Sequence, residues 1–141
     1  MKITKKVRYG LRAMIEISLN ESSSGILQKD ISENQEISLK FLDAIIGGLK
    51  SEGLIVNYSG KRSGYILARP ASEISVYDIF RAFEPELTLV NCMCPGNICN
   101  RISICPAKDY WAELNTQLKK QMESSTLDQI VFKNESLMNM N

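Results

Sequence analysis

Four cysteines, Cys92, Cys94, Cys99 and Cys105, fall within 14 residues, and the other 127 positions of this 141-residue chain hold none. Thiolates at this density suit soft metals, iron-sulfur clusters and zinc above all, and closely spaced thiols also suit redox chemistry. The glutathione pool of a reducing cytosol disfavours structural disulfides, so the group reads as a metal or redox site. Zinc on four cysteines is one alternative, although the Cys-x-Cys start is narrower than the paired knuckles of zinc ribbons. Metal-free thiol sensing is another, with Arg101 and Lys108 close by in sequence. A Cys-x-x-Cys pair is absent, which argues against a thiol oxidoreductase. The chain has no histidine, and that removes His-based acid-base catalysis, His-containing triads and mixed Cys/His zinc sites together.

A second constellation lies earlier. Ser38 stands where a helix N-cap belongs, and Leu39, Leu42, Ile45, Ile46 and Leu49 follow as one apolar stripe, leaving Lys40, Asp43, Gly47 and Lys50 on other faces. A helix of this kind fits the major groove of B-DNA, with Ser38, Lys40 and Asp43 placed for phosphates and base edges. Lys61 and Arg62 sit between Gly60 and Gly64 at the tip of a predicted hairpin, where cations can enter the neighbouring minor groove.

These residues need positioning elements. Val7, Leu11, Met14, Ile15 and Ile17 predict a first helix from Thr4 to about Leu19, and residues 20–25 have turn composition. A short helix from about Leu27 to Asn34, with Leu27 and Ile31 inward, precedes the Ser38 helix, which should close near Glu52-Gly53. Together they have helix-turn-helix proportions. Residues 54–58 and 65–67 read as the two strands of the hairpin, Pro70 ends it, and Ser75 caps a helix through Phe83. The longest helical pattern runs from Pro106 to about Ser124 through Trp111, Leu114, Leu118 and Met122, a seam suited to a second subunit. Residues 125–128 resemble a capping box opening a last short helix, with a polar, frayed tail from Lys133.

The fold class expected is therefore mostly α with a small β-hairpin wing: a winged helix-turn-helix over residues 1–84, a cysteine-bearing sensor loop over 85–105, a dimerisation helix and short terminal helix over 106–132, and a flexible tail over 133–141. Net charge is only +1, but the first 70 residues carry 11 Lys and Arg against 7 Asp and Glu, and the rest 6 against 9. A basic half joined to an acidic half suits one end that faces phosphate. No apolar run approaches bilayer length, and the basic start leads into an amphipathic pattern with Arg12 and Glu16, unlike a signal peptide, so a cytoplasmic protein without a membrane partner is expected.

Residues 37–46, continuing through Leu49 to Gly53-Leu54-Ile55, resemble the recognition helix and first wing strand of the Rrf2 family of transcription regulators. Residues 2–5 with Arg8-Tyr9-Gly10-Leu11, Met14 and Ile15 are similar to that family's opening helix, and Gly60 with Gly64-Tyr65-Ile66-Leu67 to its wing. The resemblance spans roughly residues 1–131. It implies a non-enzymatic homodimer that represses or activates from a pseudo-palindromic duplex operator. Thr4, Lys5, Tyr9 and Leu39 would then join Ser38, Lys40, Asp43, Lys61 and Arg62 at DNA, and Trp111, Leu114, Leu118 and Met122 would form the dimer seam.

Members that sense iron-sulfur status or nitric oxide carry three cysteines on this loop, so the resemblance implies an iron-sulfur cluster held by Cys99, Cys105 and either Cys92 or Cys94. The chain departs from the family at the fourth ligand. Lys108 stands where one branch has histidine, and Arg8 where another has an acidic residue, so the additional cysteine is a candidate and 2Fe-2S and 4Fe-4S both stay open. Ser59 also replaces an arginine frequent in the wing. Two readings compete with a cluster-gated regulator: a cluster carrier or zinc or thiol redox protein that keeps the helix-turn-helix shape, and a metal-independent regulator that answers to a protein partner.

Overall fold

The computed structural model describes residues 2–21, 24–60, 63–93, 96 and 99–139, with the backbone alone at Met93, Asn134, Met138 and Asn139. Lys61, Arg62 and Cys94 lie outside the described residues. Helix α1 spans Lys5–Leu19, and the Thr4 hydroxyl caps it by accepting from the Val7 N–H at 3.4 Å. Its buried face, Val7, Gly10, Ala13, Met14 and Ile17, repeats every three or four residues. Helices α2, Gln28–Gln35, and α3, Leu39–Ser51, follow. Between them Glu36 takes a left-handed φ of 54° and Ile37 is buried beneath the turn.

Ser38 is extended, and its hydroxyl accepts from the Phe41 N–H at 3.2 Å. Capping of this kind contributes about 1 kcal/mol. Leu42, Ile45, Ile46 and Leu49 are buried as the stripe predicted, but Leu39 is 52% exposed. It occupies the first helical position, ahead of the turn that α1 and α2 cover. Leu27 is also exposed rather than inward, because it sits at the N-cap of α2 and the buried place is taken by Ile26.

Strands β1, Ile55–Asn57, and β2, Tyr65–Leu67, pair antiparallel with Ile55 opposite Leu67. Ile26 adds a further rung, donating to the Tyr65 carbonyl at 3.1 Å and accepting from the Tyr65 N–H at 2.8 Å. Only glycines permit this approach: a Cβ on Gly64 would lie 2.6 Å from the Gly25 carbonyl carbon. The wing is thereby fastened to the loop that leads into α2, which fixes its direction relative to α3.

After a 3-10 turn at Ala71–Glu73, α4 spans Val76–Arg81 with a reciprocal Ser75–Asp78 capping box. It stops short of the predicted Phe83. A second 3-10 turn, Asn91–Met93, opens the cysteine loop, and α5 spans Lys108–Ser124. The start of α5 falls two residues past Pro106, with Ala107 at the N-cap. The last helix, α6, covers Leu127–Asn139, so the segment from Lys133, expected as a frayed tail, is helical through Asn139. Backbone bonds from Val76 N–H to the Ser125 carbonyl and from Leu127 N–H to the Ile74 carbonyl, both 2.8 Å, tie its start to the start of α4. Leu127 and Val131 then enter the main core beside α1. Once a first turn is anchored, each further residue that is fixed adds a hydrogen bond, without the cost of a new nucleus. Helix α6 thus packs with the winged unit, although it follows α5 in sequence.

Candidate functional site

The exposed face of α3 is continuous. Lys40, Asp43, Ala44 and Gly47, spaced by three and four residues, all face outward, with Ser38 and Leu39 at the leading end. Ala44 and Gly47 carry almost no side chain, so another surface can come close to the helix axis. The sequence reading did not single out Ala44, which has no chemistry to draw attention. It also passed over Gln28 of α2, whose amide donates to the Asp43 carboxylate at 2.5 Å. This bond joins the two helices and fixes the Asp43 rotamer; the two residues are 15 apart in sequence, so periodicity could not reveal it.

Helix α1 meets the first turn of α3 through aromatic rings. Tyr9, half-buried, packs edge-on against Phe41 with centroids 5.6 Å apart. The Lys5 ammonium lies 5.3 Å from the Tyr9 ring and 5.0 Å from the Phe41 ring, and the Arg12 guanidinium lies 4.8 Å from Tyr9. Each cation-ring contact contributes about 0.5–1 kcal/mol at exposed sites. Arg12 also donates from Nε to Gln35 Oε1 at 3.0 Å and from its guanidinium to the Gln35 carbonyl, while the Gln35 amide donates to Glu16 at 2.8 Å. Thr4 and Lys5 are exposed at the same end of α1. Of the residues expected at DNA, the structure brings Lys5 and Tyr9 to the joint with α3, and places Ser38, Leu39, Lys40 and Asp43 on the α3 surface. Lys61 and Arg62 fall outside the described residues.

On the cysteine loop, Cys92 and Cys105 are half-buried and Cys99 is exposed, and all three are free thiols. The Cys99 N–H donates to the Cys92 carbonyl at 3.2 Å, which closes the loop and brings these two residues together. Cys105 stands at the foot of α5, where its carbonyl accepts from the Lys108 N–H at 3.4 Å. Among the described residues no three Cys, Asp or Glu side chains converge as a metal-binding set. The donor chemistry nonetheless fits a soft metal or cluster, because the loop offers thiols on one short segment. Where a segment is not already ordered, ligation itself can supply the ordering free energy.

The stem of this loop is pinned to α5 by a residue the sequence reading missed. Asn115 Oδ1 accepts from the Leu89 N–H at 2.9 Å, and Asn115 Nδ2 donates to the Leu87 carbonyl at 2.9 Å. One amide side chain thus bonds both backbone groups of an irregular passing segment. Its sole sequence signal was a polar residue next to the apolar seam.

Helix α5 buries no residue. An apolar cavity of about 280 Å³ lies between α1, α4 and α5, with Val7, Leu11, Val76, Ile79, Leu118 and Met122 among its walls. Of the four seam residues, Leu118 and Met122 meet at this cavity. Leu114 is half-buried, and Trp111, 37% exposed, stacks edge-on with the still more exposed Tyr110 at 5.1 Å. Among the described residues no helix is long and apolar enough to cross a membrane.

Comparison with known proteins agrees with this architecture. The family model "Rrf2: Iron-dependent Transcriptional regulator" matches residues 3–133. The HTH-type transcriptional regulator IscR of Cronobacter sakazakii is 31% identical over 137 residues, 97% of this chain and 84% of that protein. The oxidised form of Staphylococcus aureus CymR superposes with a TM-score of 0.73 at 32% identity, covering 93% of this chain and 96% of that one. IscR of T. potens superposes with a TM-score of 0.77 at 26% identity, covering 97% and 90%. With a helix-turn-helix, an anchored wing and a match along nearly its whole length, the chain belongs to the Rrf2 family of winged-helix, DNA-binding transcription regulators, a non-enzymatic family.

Proposed function

We propose that this regulator binds duplex DNA as a homodimer and that the cysteine loop modulates its affinity through an iron-sulfur cluster. The observation that carries the DNA reading is the exposed α3 face of Lys40, Asp43, Ala44 and Gly47, capped by Ser38 and followed by a wing fastened to the same unit. Ser38 and Lys40 suit phosphates, Asp43 suits a base-edge amine such as that of cytosine, and Leu39 suits a thymine methyl. Thr4, Lys5 and Tyr9 extend the footprint from α1, and Lys61 with Arg62 extends it from the wing. A dimer would present two such faces to successive half-sites.

Dimerisation is assigned to α5, because a 17-residue helix with no buried side chain leaves Trp111, Leu114 and Leu118 to be covered from outside. Met122 continues the seam at the cavity edge. The working division is a DNA-reading unit over residues 1–84 with α6 packed on it, a sensor loop over 85–105, and the α5 helix.

Cys92, Cys99 and Cys105 are the residues that would hold the cluster, with Cys94 the candidate alternative first or fourth ligand. Bound there, a cluster would supply an oxidant-sensitive cross-link between loop segments. The chain's own part is mechanical: the thiols gather the loop, and Asn115 passes its arrangement to α5. A coupling of about 1–3 kcal/mol between loop state and operator affinity would give a useful response. Zinc or thiol oxidation at the same cysteines is the second reading, supported by the backbone hydrogen bond from the Cys99 N–H to the Cys92 carbonyl, which holds these two residues near each other.

Two measurements test the proposal. Selection from a random-sequence duplex pool should yield a pseudo-palindromic site whose affinity falls steeply with salt; failure to enrich any sequence would refute the regulator reading. Anaerobically purified protein should show visible absorbance with iron and sulfide, and Cys99→Ala with Cys105→Ala should abolish it; zinc in place of iron, or no metal, would shift the assignment to the second reading.

A further inference from the structure

Phe83 follows α4 at the point where the chain turns toward the cysteine loop. Its ring lies between two glycines on different helices. A Cβ on Gly10 of α1 would fall 2.4 Å from Phe83 Cε2, and a Cβ on Gly48 of α3 would fall 2.7 Å from Cε1. Real Cβ atoms do not approach so closely, and the two contacts are on opposite ring edges. A ring displaced from one helix would be driven into the other. The neighbouring Gly47 has no atom within 4 Å of an added Cβ, so of the two glycines only Gly48 is tightly seated, its added Cβ also falling 3.2 Å from the Ala82 carbonyl oxygen.

Helix α3 therefore rests on two aromatic spacers. Near its start Phe41 packs on Tyr9, and near its end Gly48 packs on Phe83. The two supports are seven positions apart, about 10 Å along the axis at the usual helical rise. With the first support fixed, the height of the second sets the tilt of the helix. Phe83 also packs against both apolar clusters, the main core and the smaller one of Val7, Phe80 and Leu87. Leu87, four residues on, is buried, and its carbonyl is held by Asn115. One ring thus sits against α1 and α3 and joins the apolar cluster that includes Leu87 of the loop stem.

We infer that Phe83 is a positioning residue for DNA binding: its ring, seated between Gly10 and Gly48, sets the tilt at which α3 is presented to the duplex. This rests on α3 being the DNA-reading helix. The mechanism is steric, so a methyl at position 48 should change the presented angle, and a smaller, flexible side chain at 83 should restore it.

The test is a mutant cycle on the full-length protein, read by selection from a random-sequence duplex pool and by affinity for the duplex that wild type enriches. Gly48→Ala should lose about tenfold or more in affinity for that duplex while keeping its weaker, salt-sensitive affinity for the unselected pool. Phe83→Leu combined with Gly48→Ala should recover to within about threefold of wild type, a non-additivity expected only of groups in contact. Should Gly48→Ala fail to fold, the double variant should still fold and bind. Unchanged binding by Gly48→Ala, or a double variant no better than the single, overturns the positioning role. If wild type enriches no duplex, the regulator reading itself fails and the positioning role goes with it.

Discussion

The winged unit and helix α5 solve opposite problems. Up to Phe80 every α-helix and the wing deliver side chains to a shared interior: Met14 and Ile17 from α1, Ile31 from α2, Leu42, Ile45 and Leu49 from α3, Leu54 and Ile55 at the wing, and Ile79 from α4 are essentially inaccessible. Beyond residue 84, the buried apolar residues among those described are Leu87, Leu127 and Val131, and the 17 residues of α5 contribute none. Both regions are helical, so secondary structure does not distinguish them. What differs is where the apolar face finds its cover. The first region, with Leu127 and Val131 of α6, covers itself, whereas α5 packs mainly on α4, bonds the loop stem through Asn115 and borders a cavity, with Trp111 and Leu118 partly exposed. Burial demand therefore separates the part that shares one core from the part whose apolar side chains stay partly open.

That contrast predicts different responses to truncation. The largest effect should come from Leu42→Ala, which empties a fully buried position and should cost about 2–5 kcal/mol; chemical denaturation should show the loss at every protein concentration. Leu118→Ala should cost under about 1.5 kcal/mol in a monomer, given its partial exposure, yet weaken self-association measured by sedimentation equilibrium. Equal and concentration-independent losses for the two would erase the distinction between the regions.

Asn115→Leu sharpens the boundary between them. It leaves the Leu87 carbonyl and the Leu89 N–H without their partner at a part-buried position, a cost of about 1–3 kcal/mol. Amide exchange should accelerate at Leu89 and in the loop, with α1 and α3 unaffected. Ser38→Ala, within the winged unit, should cost about 1 kcal/mol through loss of the bond to Phe41. The smallest effect should be a gain: Gly47→Ala places a methyl in open space and should stabilise α3 by about 0.5–1 kcal/mol, visible as a raised thermal midpoint.

Much of this arrangement was legible in the chain. Caps at Thr4, Ser38 and Ser75 were readable because an N-cap bond spans only a few residues, and the α3 stripe because helical period is a local property. The hairpin was readable from turn residues between β-formers. The errors follow the same logic. Leu27 and Leu39 match the apolar period, but whether a first-turn residue is covered depends on distant elements. The tail past Lys133 looks polar, and its helix depends on Leu127 and Val131 finding α1.

The sequence by itself determined most local states: where the helices up to α5 lie, where three of them are capped, and that thiols crowd one loop. Those follow from short-range bonds and side-chain period. Only the tertiary structure decided that Gln28 meets Asp43, that Asn115 grips the loop stem, that Gly25 and Gly64 press the wing against the core, and that one phenyl ring separates α1 from α3. Each of these joins residues far apart along the chain, and the closeness of such pairs is fixed by how whole helices pack, which no local pattern encodes.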